Sequence, residues 1–302
     1  MGFFATLRMA WRSRRDSSVD SLSQNDALFS KESQAVIQKD EPLFNTGAEI
    51  YDSFTFLRCP AELTAEKARL SPRQKVLDIG CGTGWATMTA ARLVGENGHV
   101  TGIDIADKLL DVARQKAGLS GLTNIEYLAG DAHNLAFKDN SFDAVLCASS
   151  LFLFTDIYRA LNENHRVLKT GGIMCFSTFS EGVFHPVMGL INDRMRKHGK
   201  NTLQRTAISV TDSPEKCRSV FIDAGLGNVE ITEENCIVLF PDEKECWRQI
   251  SGSLIVRPGL SGLAPDDYRT LKDEVLLELE QRNTSQGISV DVPVIFCTVR
   301  KL

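Results

Sequence analysis

The chain has 302 residues, of which 43% are hydrophobic and 24% charged, close to the averages of globular proteins. This composition argues against a disordered, collagen-like or membrane-spanning chain. Asp and Glu (39) outnumber Lys and Arg (34), which gives a formal net charge of -5. Nucleic acid is therefore a poor match, because phosphate binding depends on clustered Lys and Arg.

Residues 1–42 differ from the rest of the chain and are predicted to be a flexible or targeting tail in front of one domain, 43–302. Phe3, Leu7 and Trp11 recur at helical spacing beside several arginines. A disordered tail is the favoured interpretation, and a transit peptide or a helix touching a membrane through the first fifteen residues is the alternative. We accordingly predict a cytoplasmic protein, with a mitochondrial or membrane-associated one as the alternative.

The eight cysteines are scattered along the sequence and form no C-x-x-C motif. A chain of this length can bury a substantial core without covalent cross-links. The sequence therefore predicts reduced thiols, several of them buried, in an intracellular protein.

From residue 43 onward, short apolar runs alternate with helical periods. The pattern predicts strands at 76–79, 100–105, 125–129, 142–148 and 172–179, with helices at 85–94, 107–118 and 156–168. It continues with a looser segment at 180–225, strands at 228–240 and 291–300, and between these strands a helix at 265–282. Such alternation predicts an α/β fold whose parallel sheet is covered on both faces.

The sharpest local signal is Asp78-Ile79-Gly80-Cys81-Gly82-Thr83-Gly84, an apolar strand that ends in alternating glycines before a helix opens at Trp85. Glycines let a backbone approach a ligand closely, and a helix N-terminus offers free N–H groups. A nicotinamide-dependent oxidoreductase would need G-x-G-x-x-G, and Trp85 takes the place of its last glycine. This enzyme class is therefore disfavoured but stays open.

Two further acids end the next strands. Asp104 lies about twenty residues after the glycines and could accept both hydroxyls of a ribose, and Asp131 ends the third strand. Each acid alone could be a helix cap. Acids at three successive strand ends, beginning with Asp78, instead favour a ligand at the carboxyl edge of the sheet.

Two further motifs are Asp139-Asn140-Ser141-Phe142-Asp143-Ala144-Val145 and Arg166-Val167-Leu168-Lys169-Thr170-Gly171-Gly172. Together with the motifs above, they resemble the class I S-adenosylmethionine-dependent methyltransferases over about residues 47–180. The branch with ubiquinone and menaquinone C-methyltransferases and natural-product (secondary metabolism) enzymes is the most similar. The resemblance implies a Rossmann-like, doubly wound, mostly parallel seven-stranded sheet with helices on both faces. A small lid would come from insertions at the N-terminus and after the fifth strand.

The resemblance further implies S-adenosylmethionine as cofactor and methyl transfer to an O, N or C atom of a small molecule. A catalytically weak cofactor-binding scaffold is the alternative. The resemblance implies that the loop of Gly80, Cys81, Gly82 and Gly84 passes under the methionine and ribose of the cofactor, with Asp78 and the Ser149 carbonyl at the methionine ammonium. Asp104 with Ile105 would bind the ribose, and Asp131 and the N–H of Ala132 would bind the adenine. Tyr51 would close over the cofactor. For Tyr51, packing on the sheet edge is the alternative.

Acceptor recognition is expected from the aromatic segments outside the shared core, which suit a planar or apolar molecule. The candidate pocket residues are Phe54, Phe152, Phe184, Met188 and Trp247, and the alternative is that half or more of the lid aromatics fill the core. His185 is the candidate general base, with a solvent-facing loop histidine as its alternative. Serines follow the fourth strand where magnesium-dependent relatives carry an acid, so no metal is predicted. The oligomeric state is not readable from the sequence.

Overall fold

The structure, a computed structural model, describes residues 48–203 and 207–302. Its strands are β1 (Lys75–Ile79), β2 (His99–Asp104), β3 (Ile125–Ala129), β4 (Phe142–Ala148), β5 (Leu168–Phe179), β6 (Val229–Phe240) and β7 (Ile288–Arg300). They form one seven-stranded sheet of order β3-β2-β1-β4-β5-β7-β6. The first five strands run parallel, and β7 runs antiparallel between β5 and β6.

Helices connect these strands and extend the chain beyond the sheet. They are α1 (Ala48–Asp52), α2 (Arg58–Lys67), α3 (Trp85–Val94), α4 (Asp107–Leu119), α5 (Ile157–Val167), α6 (Val187–Lys197), α7 (Pro214–Asp223), α8 (Glu243–Gly252), α9 (Arg257–Leu260) and α10 (Pro265–Arg282). From β1 the sheet extends through β2 to β3 on one side and through β4 to β5 on the other. Right-handed crossovers therefore place α3 and α4 on one face and α5 on the other.

Several of these helices begin at residues that cap them. Asp156 accepts the N–H of Arg159 at 2.9 Å at the start of α5, and Asp242 accepts the N–H of Glu245 at 2.8 Å at the start of α8. Such side chains satisfy N–H groups that have no partner inside the helix.

The hydrophobic core has two main parts. One lies around the parallel strands, where β1 is buried from Val76 to Ile79, as a central parallel strand should be. The larger part lies between β5, β6 and β7 and the helices α6, α8 and α10, with Phe184 and Phe296 fully buried in it. The aromatic segments outside the shared motifs thus build a second core beside the carboxyl edge of the sheet.

Two predictions from the sequence are wrong. The segment 180–225 is not loose, since it contains α6 and α7, and α6 buries Val187, Leu190, Ile191 and Met195 on one face. Cys59 and Cys236 are not reduced thiols but form a disulfide that joins α2 to β6 across 177 residues. The remaining cysteines are free and buried.

The predicted tail of residues 1–42 lies outside the described residues, so its nature stays a prediction. Within 48–203 and 207–302, none of the helices is both long enough and apolar enough to span a bilayer.

Candidate active site

The glycine loop after β1 is held by the acid that ends β2. Ile79 and Ile103 are register partners in the sheet, which brings the loop beside Asp104. Asp104 Oδ2 accepts the N–H of Gly82 at 2.8 Å, and Oδ1 accepts the N–H of Ala106 at 2.9 Å. Burial raises the pKa of Asp104, while these hydrogen bonds oppose the rise. Each carboxylate oxygen keeps a second lone pair, so Asp104 both shapes the loop and can accept from a ligand.

The three glycines of this loop serve different purposes. A Cβ on Gly80 would lie 2.6 Å from Ser150 Oγ, and one on Gly84 would lie 2.4 Å from the hydroxyl oxygen of Tyr127. A Cβ on Gly82 would make only an ordinary contact, 3.5 Å from a ring carbon of Tyr51. Gly80 and Gly84 are therefore needed by the protein's own packing, whereas Gly82 lies directly under Tyr51.

Asp78 is the buried carboxylate beneath the loop. Its Oδ2 accepts the hydroxyl of Thr87 at 2.5 Å, and its Oδ1 has no hydrogen-bond partner among the described residues. Burial raises the pKa of Asp78 to about 7, with the Thr87 hydrogen bond working against the rise. A buried hydrogen-bond acceptor without a partner is costly. A cationic ligand group such as an ammonium would satisfy it and favour its ionised form.

A first cavity lies above this carboxylate and opens to solvent; the space between its walls, open solvent included, is about 390 Å³. Its walls include Tyr51, Leu57, Ala61, Asp78, Gly80, Cys81, Gly82, Thr83, Trp85, Ala86, Ala148 and Ser149. Burial raises the pKa of the Tyr51 hydroxyl, and the nearby Asp104 raises it further, so Tyr51 is an uncharged cover. Burial likewise raises the pKa of the Cys81 thiol, which is therefore part of the wall and not a nucleophile.

Asp131 lies further along the same edge, just past β3, and does not line the first cavity. Its Oδ1 accepts the backbone N–H of His133 at 2.9 Å and lies 2.6 Å from ring nitrogen Nδ1 of the same histidine. Nε2 of His133 accepts the N–H of Asp156 at 3.2 Å, which assigns the ring proton to Nδ1. Partial burial raises the pKa of Asp131, but the hydrogen bonds from His133 lower it by more, so the pKa lies below its ordinary value. His133 thus orients the predicted adenine acceptor.

The neighbours of these acids occupy the same edge without lining the first cavity. Ala132 is buried, with 7% of its surface exposed, whereas the Ile105 side chain is exposed. Their proposed contacts with the cofactor stay predictions.

A second cavity, also open to solvent, adjoins the first; the space between its walls, open solvent included, is about 370 Å³. It is lined by Tyr51, Phe54, Phe56, Leu57, Ser149, Phe152, Leu153, Phe179, Ser253, Leu254 and Ile255. The two cavities therefore share Tyr51, Leu57 and Ser149. No Asp, Glu, Lys, Arg or His is among the described residues that line the second cavity.

Of the predicted acceptor residues, the structure brings Phe54 and Phe152 to this second cavity and leaves three outside it. Phe184 is fully buried, and its ring centroid is 4.9 Å from that of Phe56. Met188 packs against the same apolar cluster, and Trp247 is buried against Tyr268. These three residues fill the core, as the alternative interpretation held.

Phe56 and residues 253–255 lie in segments outside the shared core from which acceptor recognition was expected, at 43–58 and 240–262, but they were not among the candidate pocket residues. Phe179 was not considered as a cavity residue. Phe56 was visible in an aromatic segment, but only the fold decides which of several neighbouring aromatics faces the cavity. Residues 253–255 follow α8, a helix that the sequence analysis did not predict.

His185 is not brought to either cavity. Its side chain is exposed, and its backbone carbonyl accepts the N–H of Asp291 at 2.9 Å, since the chain after β5 turns along β7 at this point. The exposed-loop interpretation therefore fits, and the structure does not support His185 as the base. Within the described part of the chain no group of three or more His, Cys, Asp or Glu residues could hold a metal ion.

Comparison with known proteins identifies the class to which this fold and this site belong. The family model described as "Methyltransferase domain" matches residues 70–233. The ubiquinone/menaquinone biosynthesis C-methyltransferase UbiE of Cronobacter sakazakii is 36% identical over 175 residues, covering 55% of this chain and 70% of the relative. The chain is a class I S-adenosylmethionine-dependent methyltransferase and belongs to the methyltransferase domain family.

Other matches differ in how much they cover. A demethylmenaquinone methyltransferase of Staphylococcus epidermidis is 45% identical over 105 residues, which is 34% of this chain and 43% of that protein. The solved structure of the YcgJ protein of Bacillus subtilis has a TM-score of 0.54 at 21% identity, covering 80% of this chain and 97% of that one. The structural match shows the shared fold.

Proposed function

We propose that this enzyme transfers the methyl group of S-adenosylmethionine to a small, uncharged, planar or apolar molecule, with the cofactor in the first cavity and the acceptor in the second. The observation that carries the proposal is the shared wall of Tyr51, Leu57 and Ser149 between a cavity with a buried carboxylate and a cavity lined mainly by apolar side chains. Two ligands placed on either side of that wall would meet there.

The residues of the first cavity and of the sheet edge beside it fit the cofactor. Asp78 Oδ1, buried and without a partner, would accept the methionine ammonium, and Asp104 would use its remaining lone pairs for the ribose hydroxyls. Asp131, oriented by His133, would accept the adenine amino group. Tyr51, which lies next to Gly82 of the glycine loop, would close the cavity beside the cofactor.

The protein's contribution to the reaction is alignment. When bound, S-adenosylmethionine supplies an electrophilic methyl group: the acceptor's electron pair forms the new bond to the methyl carbon, the pair of the broken C–S bond stays on sulfur, and the acceptor's proton leaves to solvent. Phe54, Phe152 and Phe179 would hold a flat acceptor and exclude water from the junction. Orientation of this kind is a large part of catalysis in bimolecular reactions.

The relatives supply one candidate acceptor class. The names of the Cronobacter and Staphylococcus proteins refer to quinone methylation, and a hydroquinone ring is flat, uncharged and apolar enough for the second cavity. We therefore propose phenols and hydroquinones as the first acceptors to test, with a carbon or an oxygen as the methylated atom.

Calorimetry followed by a product screen tests the proposal. Purified protein should bind S-adenosylmethionine and S-adenosylhomocysteine, and labelled cofactor should transfer its methyl group to members of a phenol and hydroquinone panel, identified by product mass. Charged acceptors of matched size, such as naphthalene carboxylates, serve as controls. Preferential methylation of the charged compounds would contradict the assignment of the second cavity.

A further inference from the structure

Ser149, just past the end of β4, is held in a strained conformation at the wall between the two cavities. Its φ is +52°, in the left-handed region that residues other than glycine rarely adopt. Its N–H donates to the carbonyl and to the hydroxyl of Ser177, each at 3.1 Å, and these bonds fix the residue there. Strain of this kind persists where the surrounding structure enforces it and is concentrated at functional sites.

The hydroxyl of Ser149 is buried and has no hydrogen-bond partner among the described residues. Two nearby serines show the contrast. Ser150 Oγ lies 3.1 Å from Cys147 Sγ and 3.3 Å from the Ile79 carbonyl oxygen, and Ser253 Oγ donates to the Ile250 carbonyl at 2.7 Å. A buried hydroxyl is normally satisfied, so an exception calls for an explanation such as a ligand group.

The sheet edge and the start of α3 already account for the polar groups of the cofactor. Asp78, Asp104 and Asp131 match its ammonium, ribose and adenine. The free N–H groups at the start of α3, where Trp85 and Ala86 line the first cavity, suit its carboxylate, and a sulfonium is a very poor hydrogen-bond acceptor. A hydroxyl on the wall that both cavities share is therefore available to the second ligand. This step rests on the proposed function, because it takes the first cavity as the cofactor site.

We propose that Ser149 Oγ hydrogen-bonds an oxygen of the acceptor at or next to the atom that is methylated, and thereby selects uncharged aromatic molecules that carry a hydroxyl group. The ring would lie against Phe54, Phe152 and Phe179, where a charged group would lose its hydration without a compensating side chain. Ser149 then determines specificity, and the apolar walls supply most of the contact area.

The test measures whether the hydroxyl of Ser149 recognises the hydroxyl of a probe. Dissociation constants for 1-naphthol and naphthalene are determined with the protein saturated with S-adenosylhomocysteine, for the wild type, Ser149→Ala and Ser149→Gly. The preference for 1-naphthol over naphthalene should fall about five- to tenfold in both variants, the loss expected for one hydrogen bond between uncharged groups. Ser149→Gly also relieves the backbone strain, so agreement between the two variants assigns the effect to the hydroxyl. Ser219→Ala, on α7, is the matched control and should keep the wild-type preference.

Ser149→Ala keeps the backbone carbonyl of residue 149, so its affinity for S-adenosylhomocysteine should stay near that of the wild type, and measurable binding by each variant shows that it is folded. An unchanged naphthol preference in Ser149→Ala overturns the inference, as does an equal loss of S-adenosylhomocysteine affinity, which would make Ser149 a cofactor contact. Failure of the wild-type complex to bind 1-naphthol rejects the acceptor class. Failure of the wild type to bind S-adenosylhomocysteine at all would instead reject the cofactor site on which the proposed function depends.

Discussion

Lys116 Nζ lies 3.5 Å from the centroid of the Trp85 ring, at the start of the helix that follows the glycine loop. The same ammonium lies 2.5 Å from Asp52 Oδ1, and the Arg58 guanidinium lies 4.8 Å from the Trp85 ring centroid. Burial lowers the pKa of Lys116, and the hydrogen bond from Lys116 to Asp52 opposes this. Cation–π and ion-pair contacts thus join α1, which contains Tyr51 and Asp52, to α3 through Trp85 and to α4 through Lys116.

The first prediction concerns this contact. Lys116→Met should weaken S-adenosylmethionine binding about three- to tenfold. The substitution removes the ion pair that joins α4 to α1, so Tyr51 is no longer held over Gly82. Partly buried cation–π and ion-pair contacts are worth about 1–2 kcal/mol. Calorimetry gives the affinity, and the emission of Trp85 should change with it. Lys108→Met, on the exposed part of the same helix, should leave affinity unchanged. Equal affinities for Lys116→Met and wild type would show that the contact does not position the cover.

The second prediction concerns Asp104. Asp104→Ala should lower cofactor affinity about 100-fold or more. It removes the proposed hydrogen-bond acceptor of the ribose hydroxyls and also the carboxylate that accepts the Gly82 N–H. Hydrogen bonds to charged groups contribute about 1.5–3 kcal/mol each. Calorimetry with S-adenosylhomocysteine measures the effect. Asp107→Ala, an exposed acid in the first turn of α4, is the control. Retention of affinity in Asp104→Ala would contradict the ribose assignment.

The third prediction is a pH dependence that originates at Asp78. The pKa of Asp78 is raised to about 7 in the folded protein, so the ligand-free native state holds a proton that the unfolded state releases near its ordinary pKa of about 3.9. This group's contribution to stability is fully present below the unfolded pKa and is lost as pH rises through about 7. Asp78→Asn, which stays uncharged, should remove that loss when chemical denaturation is compared at pH 5 and pH 8.

Cofactor binding should follow the opposite trend, because the ammonium needs the ionised carboxylate. Affinity for S-adenosylmethionine should fall as pH drops below about 7, and Asp78→Asn should bind weakly without this pH dependence. A wild-type affinity that is constant from pH 6 to pH 8 would argue against direct contact between Asp78 and the ammonium.

The fourth prediction concerns Gly84. Gly84→Ala should destabilise the protein by about 2–4 kcal/mol, because the added Cβ would meet Tyr127 and the residue has a positive φ of +86°. Denaturant melts measure this change. Tyr127→Phe in the Gly84→Ala background should recover part of the loss by removing the nearest atom. Gly95→Ala, with φ of +70° and open space around it, isolates the backbone cost alone. Equal losses at the two glycines would rule out the steric explanation.

The fifth prediction concerns the disulfide. Replacing Cys59 and Cys236 together by Ser should lower the free energy of unfolding by about 2–5 kcal/mol, since the bond closes a long loop in the unfolded chain. A reducing agent should weaken the wild type to a similar extent and leave the double variant unchanged. Sensitivity of the double variant to the reductant would point to another thiol.

The sequence predicted those features whose cause is local. Asp78, the alternating glycines and Asp104 each follow a strand whose apolar run marks its end, so their meeting at one edge follows from parallel strand order. The partner of Gly84 could not be read in the same way, because Tyr127 is brought beneath it only by the pairing of β2 with β3.

Long-range contacts account for the remaining errors. Cys59 and Cys236 are brought together by the placement of β6 at the end of the sheet. Phe56 and Phe184 are neighbouring aromatics in space, and only the packed fold shows that Phe56 lines the second cavity while Phe184 lies behind it. The aromatic segments indicated a pocket, and of its candidate residues Phe54 and Phe152 line the second cavity, whereas Phe184, Met188 and Trp247 do not.

The short stretch Ser253-Leu254-Ile255 lines the second cavity and not the first. It lies 104 residues beyond Ser149, the last residue in sequence that both cavities use. Substitutions there would alter the shape of the second cavity without changing any described residue that lines the first cavity. A library restricted to these three codons is therefore a practical route to redirecting the enzyme toward other acceptors.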